Sequence, residues 1–439
     1  MDPKTLALLD HRHLWHPFTQ QAEWVASAPL IVAEADGVYL IDVHGRRYLD
    51  GVSSLWTNVH GHRVPELDRA LQEQLGRVAH STMLGLTHPS AIALAARLAE
   101  LSPGELVRTF YSDNGSTAVE VALKMAFQSQ QQRGEHRRTR FATLRDAYHG
   151  DTLGAVSVGS IELFHAIYRP LLFDAISLPA PTSPGGPEEE EALSRGLQLL
   201  EEHGDTLAAF VFEPLVQGAA GMKMHSASFL RALAQRAREL GVLLVADEVA
   251  VGLGRTGSLF AMEQVGLAPD LLCLAKGLAG GYLPLAATLC TESIYQAFLG
   301  APEAHRQFFH GHTFTGNPLA AAVALASLER IEAEDVLAQA DALAGAMSAA
   351  LDELSSLPWV SRIRRRGVMV GIDLSQPDGS SWAPSARVAH RVAMATRPRG
   401  AIVRPLGDTI VLNPPLVMSP DQGALLVQIV GEAVAEVCG

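Results

Sequence analysis

The sequence predicts an α/β protein in which a larger domain carries a mainly parallel sheet and a smaller α+β domain stands beside it. Three observations lead there. Between about residues 105 and 290, short runs rich in β-formers alternate with stretches of helical period. Several of those runs are apolar rather than alternating, VLLVA (242–246) within VLLVADE among them, as in strands of a sheet covered on both faces. After Asn317-Pro318, a cap followed by a proline at the first helical position, the chain becomes strongly helical, and from about residue 359 it changes again to short strands.

Taken in order, the first element is IVAEADGVYLIDVHGRRYLDG (31–51), read as a hairpin or meander turning at Asp36-Gly37 and His44-Gly45 and expected to join the C-terminal part. The strands of the larger domain are VRTFYS (107–112), RFATLRD (140–146), LAAFVFE (207–213), VLLVADE (242–248), LLCLA (271–275) and PLAATL (284–289). Helices fall between them, for example over 116–130 and 226–240. Residues 179–203 begin as a Pro/Gly/Ser loop and continue as a helix with an acidic first turn, so Glu188 to Glu191 read as a solvated helix start. The arginine trio Arg364 to Arg366 reads as a solvated turn. Strands near 368–374, 401–404 and 409–412 and a helix from Ser419-Pro420 complete the smaller domain. The expected division is residues 1–60 as the N-terminal segment of the small domain, 61–330 as the large domain and 331–439 as the C-terminal small domain.

Composition narrows the function. At 439 residues, with 48% hydrophobic and 18% charged residues, the chain suits a compact enzyme rather than a disordered segment. Its net charge of −13 and the lack of a basic stripe argue against nucleic acid as a partner. No apolar run is long enough for a membrane span, and MDPKTLALLDHRHLW does not read as a signal peptide, so a cytoplasmic location is expected. Cys273, Cys290 and Cys438 form no C-x-x-C pair, and their odd number argues against a disulfide framework. His11, His13 and His16, His60 and His62, and His310 and His312 cluster along the chain, but their spacings fit no zinc pattern and no metal is expected.

The chemistry starts from one residue. Of 34 Lys plus Arg, only Lys4, Lys124, Lys223 and Lys276 are lysine. Lys276 stands between an apolar run and a Gly-rich turn, where a charged amine is costly unless paired or neutralised. A desolvated lysine can be neutral and act as nucleophile or base, which an arginine cannot. Ligands of open α/β sheets sit beyond the carboxyl ends of the strands. Lys276 falls at such an end, as do Asp247 and the turn Asp113 to Ser116. In that turn, Gly115 and Ser116 open a helix whose free N–H groups suit a phosphate, although a plain strand-to-helix connection has the same look. Asp247-Glu248 suits a metal pair, a cap, or a carboxylate facing a cationic ring. Together, a lysine, a carboxylate and an anion site match the needs of pyridoxal 5′-phosphate.

Six motifs in order give that combination a family. SDNGSTAVEVALKMA, DAYHGDTLGAVSVG, FEPLVQGAAGM, ADEVAVGLGRTG, LAKGLAGGYLPLAA and HTFTGNPLAAAVA resemble the class III, fold-type I aminotransferases over nearly the whole chain. HLWHPFTQ (13–20) and DGVSSLWTNVHGH (50–62) are most similar to the branch that aminates 8-amino-7-oxononanoate in biotin biosynthesis. The resemblance implies a large domain with a mainly parallel seven-stranded sheet and a small α+β domain drawn from both chain ends. It implies pyridoxal 5′-phosphate held covalently by Lys276, with Asp247 at the pyridine nitrogen, Val249 and Tyr148 on the two ring faces, and Glu213 as a structural acid nearby. Gly115 and Ser116 would bind the phosphate, and Thr313 of a neighbouring copy would complete that site, making a homodimer part of the active site. Arg404 would hold the acceptor's carboxylate, with Trp56, Gly311 and Phe18 along the substrate channel beside Tyr148 and Lys276.

Other readings differ in chemistry. Another class III ω-aminotransferase, acting on a diamine or 4-aminobutyrate, would use the same lysine, and an aminomutase would need no separate donor. A non-catalytic binding protein on this fold would be expected to lack Lys276 or Asp247, and both are present. Trp15 and Trp56 could be core aromatics, and Arg255 and Arg404 surface ion-pair residues. Phe18 and Leu55 stand where S-adenosylmethionine-using members carry Tyr and Trp, and resemble members that take the amino group from L-lysine. His312 replaces a residue that is often proline.

Overall fold

The computed structural model describes residues 1–439. Near the N-terminus, β1 (Val32–Asp36), β2 (Tyr39–Asp42) and β3 (Arg47–Asp50) form an antiparallel meander. The seven-stranded sheet follows with β4 (Arg108–Ser112), β5 (Arg140–Leu144), β6 (Ile176–Leu178) and β7 (Leu207–Phe212). A two-stranded ribbon, β8 (Val216–Gln217) and β9 (Lys223–Met224), follows β7 in the chain. Strands β10 (Leu243–Asp247), β11 (Leu271–Leu274) and β12 (Ala286–Cys290) complete it. The order is β4-β12-β11-β10-β7-β5-β6, and only β12 runs antiparallel to its neighbours. A second four-stranded sheet contains β13 (Val360–Arg366) and β14 (Met369–Leu374) with β16 (Arg404–Leu406) and β17 (Thr409–Leu412). Between these last pairs the short β15 (Ala401–Ile402) adds in parallel to β3, tying the first fifty residues to the last forty.

Burial explains why the central strands read as continuous apolar runs. All six residues of β7 and all five of β10 are buried. Alternate side chains feed opposite layers. Ala209, Val211, Val245 and Leu271 pack with Ala118, Val119 and Ala122 of helix Gly115–Gln132. Phe210, Phe212, Leu244 and Leu272 join the larger core with Phe229, Leu230 and Leu233 of helix Ala227–Glu239. Helix Pro318–Ala333 is capped as its sequence implies, with the Asn317 side chain accepting from the N–H groups of Leu319 and Ala320.

Two surface expectations fail, both because a charged side chain found buried partners. Arg364 to Arg366 are the end of β13, not a turn. Arg364 is buried, forks onto Asp373, and donates to the carbonyls of Gly221 and Met222. It thereby pins the small-domain sheet to the β8–β9 ribbon. The run Glu188 to Glu191 does open helix Gly186–His203, but Glu189 is buried and accepts from the N–H groups of Gly185 and Ser226. That carboxylate serves two backbone donors that have no other acceptor.

Candidate active site

Five strands of the large sheet end on one side, and each delivers a functional group there. β4 runs into the turn Asp113–Asn114, where Asn114 and Thr117 cap helix Gly115–Gln132 reciprocally. β5 is followed by Tyr148 and His149, β7 by Glu213, β10 ends on Asp247, and β11 precedes Lys276. Together with Trp56, Ser116 and Val249 these residues line one cavity of about 460 Å³.

Lys276 is half-buried, with its Nζ 4.7 Å from the centre of the Trp56 ring. Its backbone takes φ +44°, a left-handed conformation that a β-strand cannot continue, so β11 stops and the side chain turns into the cavity. Desolvation lowers its pKa and Arg255 and Arg404 act the same way, while Asp247 and Glu213 oppose them. Asp247 is buried. Its Oδ2 lies 2.7 Å from His149 Nδ1, and its Oδ1 accepts from the Val249 N–H at 3.0 Å. Glu213 accepts from the N–H of Tyr148 at 3.1 Å and of Gly218 at 3.0 Å, and burial raises its pKa to about 7. The Tyr148 hydroxyl donates to Asp151 at 2.8 Å, and burial together with that acceptor raises its pKa.

The residues fit pyridoxal 5′-phosphate. At the helix start, a side-chain carbon on Gly115 would stand 2.6 Å from Val249 Cγ1, so glycine is what keeps the backbone N–H groups open beside Val249. Ser116 Oγ accepts from the Asp151 N–H at 3.1 Å and keeps its own proton to donate to an oxyanion. Asp247, fixed by two contacts, presents a carboxylate for a cationic ring nitrogen. Lys276 supplies an amine inside the same cavity.

The structure brings together Lys276, Asp247, Tyr148, Gly115, Ser116, Glu213, Val249 and Trp56. It places Arg404 and Phe18 elsewhere, in an adjoining cavity of about 370 Å³ with Phe164 and Lys223. Phe18 meets Phe164 edge-on at 5.3 Å, and Arg404 is close enough to Tyr148 to act on its ionisation. Gly311 and Thr313 line neither cavity; their loop meets the site only where His312 Nδ1 comes within 2.7 Å of Asp113 Oδ2. Trp56 is buried, whereas Trp15 is 89% exposed and cannot be a core residue of this chain. Arg255 is no surface ion-pair residue: it is fully buried and bonded to Ser53, Asn413 and the carbonyls of Asn58 and Pro414. Sequence reasoning missed His149 and Asp151. Both stand in DAYHGDTLG, right after a strand end, and that placement was the available signal.

Comparison with known proteins gives a consistent result. The model of the family Aminotransferase class-III matches residues 20–434. Adenosylmethionine-8-amino-7-oxononanoate aminotransferase of Nitratidesulfovibrio vulgaris is 52% identical, covering 98% of this chain and 82% of its own length. The protein of that name from Geobacter sulfurreducens is 45% identical over 100% of this chain and 99% of its own. The crystal structure of the Methanocaldococcus jannaschii protein of that name superposes with a TM-score of 0.95 at 39% identity, covering 99% of this chain and 100% of that one. A thermostable (S)-enantioselective omega-transaminase from Thermomicrobium roseum superposes at 0.94 with 35% identity, covering 100% and 99%.

Proposed function

The chain belongs to the class III aminotransferases, and from that premise we propose that it transfers an amino group to the ketone carbon of 8-amino-7-oxononanoate, giving 7,8-diaminononanoate in biotin biosynthesis. The observation that carries the substrate is the near-full-length identity, up to 52%, with relatives that bear this substrate in their names. Pyridoxal 5′-phosphate is the cofactor of the class, and when bound it supplies an electron sink that stabilises charge at the carbon next to the transferred nitrogen.

The chain's own residues do the rest. Lys276 would hold the cofactor, and its Nζ, when free, is the base that would take the proton from the donor's α-carbon and the acid that would give one to the acceptor's carbon. Its lowered pKa favours the neutral amine that this requires. Asp247 would keep the ring nitrogen protonated, and His149 keeps Asp247 in place. Val249 and Tyr148 line the cavity where they would flank the ring, and Gly115 and Ser116 would take the phosphate. Glu213 holds the Tyr148 backbone at its Oε1. Trp56 walls the acceptor channel, where its indole N–H is buried without a protein acceptor. Arg404 and Phe18 lie in the next cavity along, and Arg404 binds the acceptor's carboxylate as a planar fork.

The loop with Gly311 and Thr313 stands outside the cavity of its own chain, which supports a homodimer in which it serves the other copy's site. The division into 1–60, 61–330 and 331–439 is supported by the β3–β15 pairing. No helix is long and apolar enough to cross a membrane, and the cytoplasm is the proposed location. The names of the relatives support S-adenosylmethionine as donor, whereas Phe18 and Leu55 favour L-lysine. Both are α-amino acids with a second positive charge. A donor panel with 8-amino-7-oxononanoate held fixed tests the assignment, together with growth rescue of a host lacking the diaminononanoate step. Turnover with neither donor and no rescue despite soluble expression would refute the substrate. Turnover of simple ω-amino acids or diamines in its place would make the chain an ω-transaminase like the Thermomicrobium neighbour.

A further inference from the structure

A third cavity, of about 620 Å³, lies between the N-terminal meander and the chain around β15. It shares no lining residue with the active site. Three arginines line it, Arg46, Arg47 and Arg397, against a single carboxylate, Asp42. That carboxylate is fully used. It accepts from the N–H groups of His44 and Arg46, from Arg46 Nε at 2.8 Å and from the Tyr48 hydroxyl at 2.9 Å. A carboxylate has about four lone-pair sites, so none remains for Arg397. Arg47 is turned toward Asp36, 3.6 Å away, and over the Tyr39 ring.

Arg397 is therefore left over. It is partly buried, and the only ionisable group that raises its pKa against the effect of burial is the Tyr48 phenol. Its near neighbour Arg399 shows what an arginine of this segment does when acids are in reach: it pairs with both Glu432 and Glu436. Arg404 offers the closer parallel. It too is partly buried, lines a cavity, has burial lowering its pKa and meets no carboxylate of the chain. A half-buried guanidinium with no acceptor from the chain keeps its planar fork free for an incoming oxyanion, which it binds more strongly than a neutral acceptor. The facing wall is apolar, formed by Pro29, Leu30, Ile31 and Val43.

We propose that this cavity binds a small organic carboxylate, its oxygens on the Arg397 fork and its hydrocarbon part against Pro29, Leu30 and Ile31. The site stands apart from turnover, so the inference does not depend on the assignment of the substrate.

The test is calorimetric titration of the holoenzyme with octanoate. Two sites per chain are expected. Arg404→Gln should leave one, Arg397→Gln should leave the other, and Arg397→Gln should keep kcat/KM unchanged. Loss of a charge-assisted fork should weaken octanoate at this site roughly ten- to hundred-fold. Arg397→Lys keeps the charge and loses the fork, so a few-fold weakening there supports the assignment even where the glutamine variant folds poorly. Competition by inorganic phosphate at the Arg397-dependent site alone would support the oxyanion chemistry and show the apolar wall to be secondary. A wild-type stoichiometry of one that disappears with Arg404→Gln overturns the proposal, as does octanoate binding that Arg397→Gln and Arg397→Lys leave untouched.

Discussion

Replacing Gly218 by alanine should damage the acceptor side of the reaction through a residue that touches neither cofactor nor substrate. A methyl carbon there would stand 2.9 Å from Trp56 Cζ3 and 3.1 Å from Cη2. Carbon atoms in contact prefer about 3.5–4.0 Å, so the indole must retreat by roughly 0.6 Å or more. It cannot flex: it is a rigid ring, buried, on a backbone already at φ +64°. Overpacking of this kind costs about 1–3 kcal/mol. The displaced ring is the one over Lys276 Nζ, and it walls the acceptor channel. Misplacement on this scale at a reacting centre lowers rate by up to about a hundred-fold. The assay is steady-state kinetics with 8-amino-7-oxononanoate as the varied substrate, alongside thermal unfolding. The expected result is a kcat/KM for the acceptor lower by about ten- to hundred-fold, with a lower Tm. Trp56→Phe in the Gly218→Ala background removes the clashing ring edge and should recover part of both losses, an interaction that a simple stability defect at Gly218 would not show. Unchanged kinetics and Tm in the single variant, or no coupling in the double, would refute the packing argument.

Four further outcomes are expected. Lys276→Ala should give no borohydride-stable cofactor adduct by peptide mass, while the wild type is labelled at Lys276 alone. Asp247→Asn leaves His149 facing a neutral amide; loss of such an electrostatic partner should cost roughly a hundred-fold or more in kcat, and cofactor should be retained less well on dialysis. Arg404→Gln should raise the acceptor KM roughly ten- to hundred-fold with kcat little changed, as loss of a charge-assisted hydrogen bond does. Burial holds Glu213 protonated in the fold up to about pH 7, above its ordinary carboxyl range. The unfolded chain releases that proton first, so unfolding free energy should fall as pH rises from about 4.5 to 7, by about 3 kcal/mol for this group. Glu213→Gln should flatten that part of a urea-denaturation pH series, and an unchanged slope would place the effect elsewhere.

How far the sequence could be read depended on range. The strands of the large sheet were legible because β7 and β10 are buried along their whole length and so read as short continuous apolar runs. Lys276 was legible because a lone lysine follows such a strand, and Asp247 because it ends one. Glu189 and Arg364 were misread because local polarity suggests water, whereas their partners lie 37 and 142 residues away. His149 escaped for the same reason. Its partner Asp247 is 98 residues on, and nothing local marks a histidine as the one that reaches it. The gap between Arg404 and the Lys276 cavity could not be read at all, since Arg404 opens β16 of the other sheet and its distance from the cavity is a matter of tertiary packing.

The same reasoning explains why Trp56 depends on the whole chain. Ser53, Ser54 and Trp56 all adopt positive φ, at 49°, 62° and 64°, each costing of order 1–3 kcal/mol unless the surroundings enforce it. The enforcement comes from Arg255. Its guanidinium donates to Ser53 Oγ and to the Asn58 carbonyl, on either side of the strained turn, and to Asn413 and Pro414 from the far end of the sequence. Ser53 closes the circle by donating to the Asn413 carbonyl at 2.7 Å. No carboxylate contacts this buried cation; carbonyl and side-chain oxygens from two stretches far apart in sequence, 53–58 and 413–414, share its charge. Removing either stretch leaves donors of a desolvated guanidinium without acceptors, a cost comparable to the strain it holds. The indole can therefore stand over Lys276 only when the first sixty residues, the GLGRTG loop and the 413–414 segment are docked together, so formation of the acceptor wall is coupled to completion of the fold.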